Sequence, residues 1–324
     1  MTGPTVTVVI PTRDRLHLLR EAVASVVNQE WADWELVVVD DASTDGTWEW
    51  LSSLPDPRIR SLRTATPLER AEARNLGLSD ARCDCVLFLD DDDRLHRRAL
   101  GRLVRALQRR PEAFAAVAAR VAFDAEGRRH RYAFPRWPVV RRAWREVLAG
   151  WVATPGQMLL RTELLRRSGG WSGAVIPAED LELWLRFAGC QACFVPSAVL
   201  EYRIHGNSRA PADLEQIEDG VRARFVAGAA RQRATAERMV EARRAIRRSD
   251  LAFARAAPAA AARDLVRALR LAPSLAWSPV LGPSLVWSLS KAVVAAVLPG
   301  RARLLARQAV RGARARQGRA GLPS

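Results

Sequence analysis

Apolar and polar residues alternate with two different periods along this chain, and the exchange between them lays out the elements. Residues 5–10, TVTVVI, form a short β-branched run of the kind that fills a strand buried on both faces. From Leu16, LHLLREAVASVVNQ repeats apolar residues at helical spacing. The same succession returns as ELVVVD at 35–40 with a helix from about Thr44, as IRSL at 59–62 with LERAEARNLGLSDA, and as CVLFL at 85–89 with LHRRALGRLVRALQRR. Repeated strand-helix units predict a parallel, doubly wound α/β sheet, whose ligands sit at the carboxyl ends of the strands.

Beyond Ala113 the rhythm becomes mixed. AAVAARVAF and RHRYAF read as two strands around a Glu126-Gly127 turn, and QMLLR and CFVP as strands on either side of the helix AEDLELWLRFAG. After Pro211 the strand signals stop and amphipathic segments with Arg faces take over. The expected division is a domain over residues 1–210 and a basic helical region over 211–324.

The formal charge of +16 belongs mostly to that second region: residues 1–210 hold 30 basic and 27 acidic groups, residues 211–324 hold 21 and 8. Almost every cation is Arg, Lys291 being the one lysine, which fits phosphate partners and equally an Arg-rich coding bias. The Arg faces lack an aromatic stacking platform or a reading motif, so no specific nucleic acid is expected.

Between Pro283 and Pro299 an apolar stretch of 15 residues reaches ~22 Å as a helix, short of a bilayer core. Ser284, Ser288 and Lys291 share one of its faces, and seven arginines without an acid follow from Arg301. That pattern suits a helix lying on an anionic membrane surface, or one packed on protein with a solvated Arg face. MTGPTVTVVIPT lacks the charged and apolar regions of a secretory signal, so the expected location is cytoplasmic, peripheral on the inner face of the membrane. Cys83, Cys85, Cys190 and Cys193 are too few and too clustered for a disulfide framework; reduced thiols in packing are expected over zinc ligands.

The sharpest chemical signal is FLDDDDRL at 88–95, where a buried strand runs into four consecutive aspartates. Adjacent carboxylates repel, and a cation or arginines must lower the local potential. A hard dication, Mg²⁺ or Mn²⁺, takes one or two carboxylates and completes its shell with water and phosphate oxygens. The competing explanation is an acidic helix N-terminus ahead of LHRRALGRL, although four carboxylates exceed what capping requires.

The chain resembles family 2 of the glycosyltransferases, which have the GT-A fold, over nearly all of residues 5–210. The matching segments are VTVVIPTRDR at 6–15, VVVDDASTDGT at 37–47, ARNLGL at 73–78, FLDDDDRL at 88–95, GGW with PAEDLELWLRF at 169–187, and YRIHGNS at 202–208. The resemblance implies a Rossmann-like domain with a mostly parallel central sheet, and inverting, metal-dependent transfer of a sugar from a nucleotide-diphosphate donor to a hydroxyl acceptor. The expected acceptor is a glycan or glycolipid of the cell envelope.

Residue by residue, the resemblance places Pro11, Thr12, Arg13, Asp40 and Asp41 on the nucleotide, Arg74 on the base or diphosphate, and Arg203 facing the diphosphate. The family's D-x-D-D signature falls on Asp90, Asp92 and Asp93, with Asp91 at its variable position. Asp90 goes to the donor, and Asp92, Asp93 and His205 to the metal, either of the two aspartates being the direct ligand. Asp180 becomes the general base and Glu179 the residue that orients its loop. Trp171 and Trp184 flank that base, Trp184 as core. His17, His96 and His130 match no motif and are expected at the surface.

Two other readings stand beside it. A phosphotransferase of the haloacid dehalogenase type carries D-x-D on its first strand and Thr or Val two residues beyond the second Asp, whereas Asp92 is followed by Asp93 and Arg94. The second is an inactive scaffold with a basic membrane-binding tail. The absence of a Q-x-x-R-W segment points to a single addition rather than processive synthesis.

Overall fold

A computed structural model of the chain describes residues 5–124, 126–131, 139–141, 144–204, 213–229, 233–255, 257–276 and 288–289. The chain forms two compact units: Met1–Arg128 with Pro135–Trp144 and Val152–Val221, and Arg129–Phe134 with Arg145–Trp151 and Arg222–Ser324.

The first unit opens with β1 (Val6–Thr12), α1 (Leu16–Val27), β2 (Trp34–Asp40), α2 (Thr47–Ser52), β3 (Ile59–Arg63), α3 (Arg70–Asp80) and β4 (Cys85–Phe88). β3, β2, β1 and β4 lie side by side and parallel, as the repeating pattern predicts. Val8, Val9, Ile10 and Val37 to Val39 are wholly buried, because helices cover both faces of a parallel sheet. α3 seats closely on this sheet at Gly77, where a Cβ would stand 2.3 Å from Val9 Cγ1. That glycine sets the depth at which Arg74, one turn earlier, enters the protein.

Further along come β5 (Arg94–Leu95), α4 (Ala99–Gln108), β6 (Ala113–Phe123), β8 (Val139–Arg141), β9 (Met158–Arg161), α6 (Thr162–Arg167), α7 (Glu179–Arg186) and β10 (Gln191–Arg203). β9 inserts antiparallel between β4 and β6, β10 lies parallel to β6, and β5 closes the edge antiparallel to β10. The sheet is thus mixed: parallel through its first four strands and of both senses beyond them.

Two local expectations change. The strand expected over CFVP does not stop at Pro196: β10 runs on to Arg203 after the register slips between Val195 and Ala198. Proline has no N–H for the ladder, so the chain bulges around it and resumes pairing. LHRRALGRL is not wholly helical either, because Leu95 belongs to β5 and α4 begins at Ala99. The aspartate run therefore does not cap a helix.

In the second unit, where β7 (Arg129–Arg131) and most of α5 (Trp144–Leu148) also fall, α9 (Arg233–Ala254) and α10 (Pro258–Leu271) form a helical hairpin. α8 (Leu214–Gly228) leads into it. Ala236, Met239, Ala242 and Ala245 of α9 and Ala261, Leu265 and Ala268 of α10 are buried, small residues letting two backbones approach. Arg248 pairs with Asp264 at 3.2 Å and Arg267 with Glu241 at 3.4 Å along the solvent side. Among the described residues no helix is long and apolar enough to cross a membrane. Apart from residues 288–289, the 283–299 segment lies outside them, as do the Arg-rich tail and His205.

Candidate active site

The carboxyl ends of β1, β2 and β4 meet at one edge of the parallel half, and two loops there are laced by side chains. Asp14, held at φ 51°, accepts from Thr44 N at 2.7 Å and donates its own N–H to Ser43 Oγ at 3.0 Å. Asp45 Oδ2 accepts from Leu16 N at 2.9 Å. The loops after the first and second strands are thereby fixed to each other before any ligand is considered.

Asp40 and Asp41 are buried in this lacing. Asp40 Oδ1 accepts from Ser43 N at 3.1 Å while its second oxygen lies 3.5 Å from Arg63 Nε, and Asp41 Oδ1 takes Thr64 Oγ1 at 3.0 Å and Leu68 N at 2.7 Å. Both shape the loops that frame the crevice, with the ligand role expected of them resting on whatever oxygen valence remains. Arg13 is exposed beside Asp14, and Pro11 and Thr12 end β1.

The aspartate run makes a turn, Asp93 N donating to Asp90 O at 3.1 Å, and the turn sorts the four carboxylates. The Asp90 and Asp92 side chains keep 35% and 20% of their surface, while Asp91 and Asp93 point inward. Each meets arginine or backbone. Arg15 Nη1 lies 3.2 Å from Asp91 Oδ1 and 3.3 Å from Asp92 Oδ2; Asp91 Oδ2 accepts from Thr12 Oγ1 at 2.8 Å. Asp93 Oδ1 accepts from Arg203 N at 2.9 Å, and Arg203 Nε donates to Asp92 O at 2.9 Å. Burial pushes the Asp91 carboxyl up to about 6, with Thr12 and Arg15 pulling against its acidic neighbours, and raises Asp93 well above the usual carboxylate range, with Asp90 adding to it.

Arg74 connects this turn to the proposed base. It is 2% exposed, with Nη2 donating to Asp90 Oδ1 at 2.8 Å and Nη1 to Glu179 Oε1 at 3.0 Å. Its guanidinium is enclosed, and both Nη atoms are committed to carboxylates of the chain itself. Its position is built by two motifs that sequence alone leaves unconnected. Asn75 Nδ2 donates to Trp171 O at 2.8 Å and Asn75 Oδ1 accepts from Trp171 N at 2.7 Å, so ARNLGL clamps GGW. Trp171 then lies 4.8 Å from the Arg74 guanidinium and edge-on to Phe88 at 5.1 Å.

Glu179 and Asp180 open α7, Glu179 turned in to Arg74 and Asp180 partly open. Burial, with the negative charge of Glu179, raises the Asp180 carboxyl to about 6 against the pull of Arg74; Asp90 also contributes, so the two acidic groups share one field. Arg203, expected at the diphosphate, reaches Glu21 Oε2 at 2.6 Å and lies over Phe123. Trp184 is core, edge-on to Phe114 at 5.5 Å, and Trp171 is buried as well. His17 is exposed and His96 half-buried, while the His130 side chain is outside the description. The residue at this turn that sequence reasoning did not single out is Arg15; it stands inside VTVVIPTRDR, and its charge two residues past Arg13 was the available signal.

The run offers oxygen donors only, which suits a hard dication. Among the described residues no three His, Cys, Asp or Glu side chains converge as a metal cage. Two partly open carboxylates, Asp90 and Asp92, match a cation that draws its remaining ligands from phosphate and water. The four cysteines are free thiols, Cys85 in β4 and Cys193 in β10, with Cys83 and Cys190 in the loops just before those strands.

Residues 7–169 match the family model described as Glycosyl transferase family 2. An uncharacterized glycosyltransferase of Haemophilus influenzae is 34% identical over 95 residues, 29% of this chain and 38% of that protein. The GalNAc(5)-diNAcBac-PP-undecaprenol beta-1,3-glucosyltransferase of Campylobacter jejuni is 35% identical over 127 residues, 38% of this chain and 40% of that protein. The aligned stretches thus span well under two thirds of these relatives. Among solved structures, S. aureus TarS 1-349 in complex with UDP-GlcNAc superposes with TM-score 0.63 at 16% identity, covering 94% of this chain and 92% of that one, a likeness of fold.

Proposed function

The chain belongs to glycosyl transferase family 2, and from that membership we propose that it is an inverting glycosyltransferase moving a sugar from a nucleotide-diphosphate donor to a hydroxyl acceptor. The observation that carries the reading is the buried Arg74, which holds Asp90 of the aspartate turn and Glu179 beside Asp180 on one guanidinium. Donor-side and acceptor-side carboxylates are thereby fixed relative to each other before substrate arrives.

Asp180 takes the acceptor hydroxyl proton as that oxygen attacks the anomeric carbon from the face opposite the diphosphate, and a single displacement inverts the centre. With its carboxyl raised to about 6, Asp180 is mostly ionised at neutral pH yet more basic than an ordinary aspartate. Glu179, locked to Arg74, orients the start of α7. Asp92, with Asp90 beside it, would hold Mg²⁺ or Mn²⁺; bound there the ion supplies Lewis-acid neutralisation of the leaving diphosphate. Asp93 faces Arg203 N, which makes it the support of the turn.

The Campylobacter relative's name supports an envelope glycan or glycolipid as the acceptor class. Exposed arginines on α9 and α10, among them Arg244, Arg247 and Arg263, support residence at an anionic membrane surface. The reading is tested by titrating UDP-, GDP- and dTDP-sugars with Mn²⁺, followed by transfer assays on lipid-linked acceptors. Metal-dependent binding of one donor is expected. Binding of none would sink the enzyme and leave a scaffold; equal flotation of the full chain with anionic and neutral liposomes would remove the membrane part.

A further inference from the structure

Arg15 is a cation set among carboxylates that the proposed reaction assigns to another cation. Its backbone is pinned at the entry to α1, where its carbonyl accepts from Leu18 N at 2.9 Å and Leu19 N at 3.0 Å. Its side chain is half exposed, and the same Nη1 faces both Asp91 and Asp92. Asp91 is buried and tied to Thr12, so one of these two contacts is anchored in the core while the other ends on a partly open carboxylate.

We propose that Arg15 is the built-in counter-cation of Asp91 and Asp92 in the donor-free protein, which a divalent cation arriving with the diphosphate displaces from Asp92. The inference rests on the metal-assisted reading above. Four adjacent aspartates need positive charge at all times, and a mobile guanidinium provides it while the site waits. Displacement does not strand Arg15: rotation about its side chain keeps it near Asp91, with the guanidinium turned toward the crevice where a diphosphate brings negative charge. The arrangement makes metal binding weak without donor and coupled to it, since a bare dication must first overcome a resident positive charge.

Binding of Mn²⁺ alone, followed by the electron paramagnetic resonance of the free ion, tests this on the full chain without nucleotide. A unit charge ~5 Å from a dication in a water-like dielectric is worth about tenfold in affinity, so Arg15→Gln is expected to tighten Mn²⁺ about tenfold. Arg15→Lys, which keeps the charge, is expected to stay within about twofold of the parent, and Asp92→Asn to lose the site. Unchanged or weaker binding in Arg15→Gln, with a near-ultraviolet circular dichroism spectrum like the parent's, overturns the displacement while leaving the metal reading intact. No Mn²⁺ binding by any variant overturns both, and full binding by Asp92→Asn places the ion elsewhere and overturns the inference.

Discussion

Replacing Arg74 by Met keeps most of the side-chain volume and removes the charge that faces Asp90 and Glu179. Glu179 then loses its 3.0 Å partner in a buried setting and retains Arg70, whose exposed side chain lies 3.5 Å away. Asp90 is one-third exposed and recovers part of its loss from water. Breaking a buried pair from one side costs about 3–5 kcal/mol, and the access of Asp90 to water puts this case near ~3 kcal/mol. For a unit of this size that corresponds to a fall in Tm of about 6–12 °C. Thermal unfolding followed by near-ultraviolet circular dichroism reads it directly, because Trp171 lies on the guanidinium. The cycle is completed with Glu179→Gln and the double variant: if the charge pairing matters, the cost of Arg74→Met shrinks by about 1–3 kcal/mol in the Glu179→Gln background. A Tm within about 2 °C of the parent, or an undiminished cost in the Glu179→Gln background, would refute the bridge as the element joining the two halves of the site.

Transfer should rise with pH through about 6 as Asp180 ionises, and Asp180→Asn should keep donor binding while transfer is lost. Because the folded carboxyl lies above its ordinary value, ionisation weakens the fold as pH rises through about 6; Asp180→Asn should therefore be more stable than the parent at about pH 7.5, by roughly 2–3 kcal/mol at most, and the gap should vanish below about pH 4, as paired melting curves would show. Gly77→Ala should cost about 1–3 kcal/mol by forcing α3 away from Val9, and should lower transfer too because Arg74 moves with the helix; an unchanged Tm would mean that α3 is seated more loosely than its 2.3 Å clearance implies.

The parallel half of the fold was legible because β-branched runs such as TVTVVI and ELVVVD are buried on both faces and alternate with helices of 3.6-residue period. The path of β10 past Pro196 was not, since proline ends a strand in sequence logic and only pairing with β6 on either side of a bulge carries it on. Sequence also set the order of the motifs and the chemistry of their side chains: aspartates after β4, an acidic pair at the start of α7, an arginine in ARNLGL. It left Asp91 as the variable member of its run.

Tertiary structure gave that residue its partners. The turn at Asp90–Asp93 points Asp91 inward to Thr12 and Arg15, 79 and 76 residues away, so its burial depends on loops that no local pattern encodes. The same holds for Arg74, which the family resemblance sets at the base or diphosphate and whose burial depends on Gly77, Asn75 and Trp171. Residue type and period fix which elements form and which groups carry chemistry, because those are short-range properties of the chain. Which carboxylate faces a ligand and which faces an arginine follows from burial and pairing across long separations, and these exist only after the sheet has assembled.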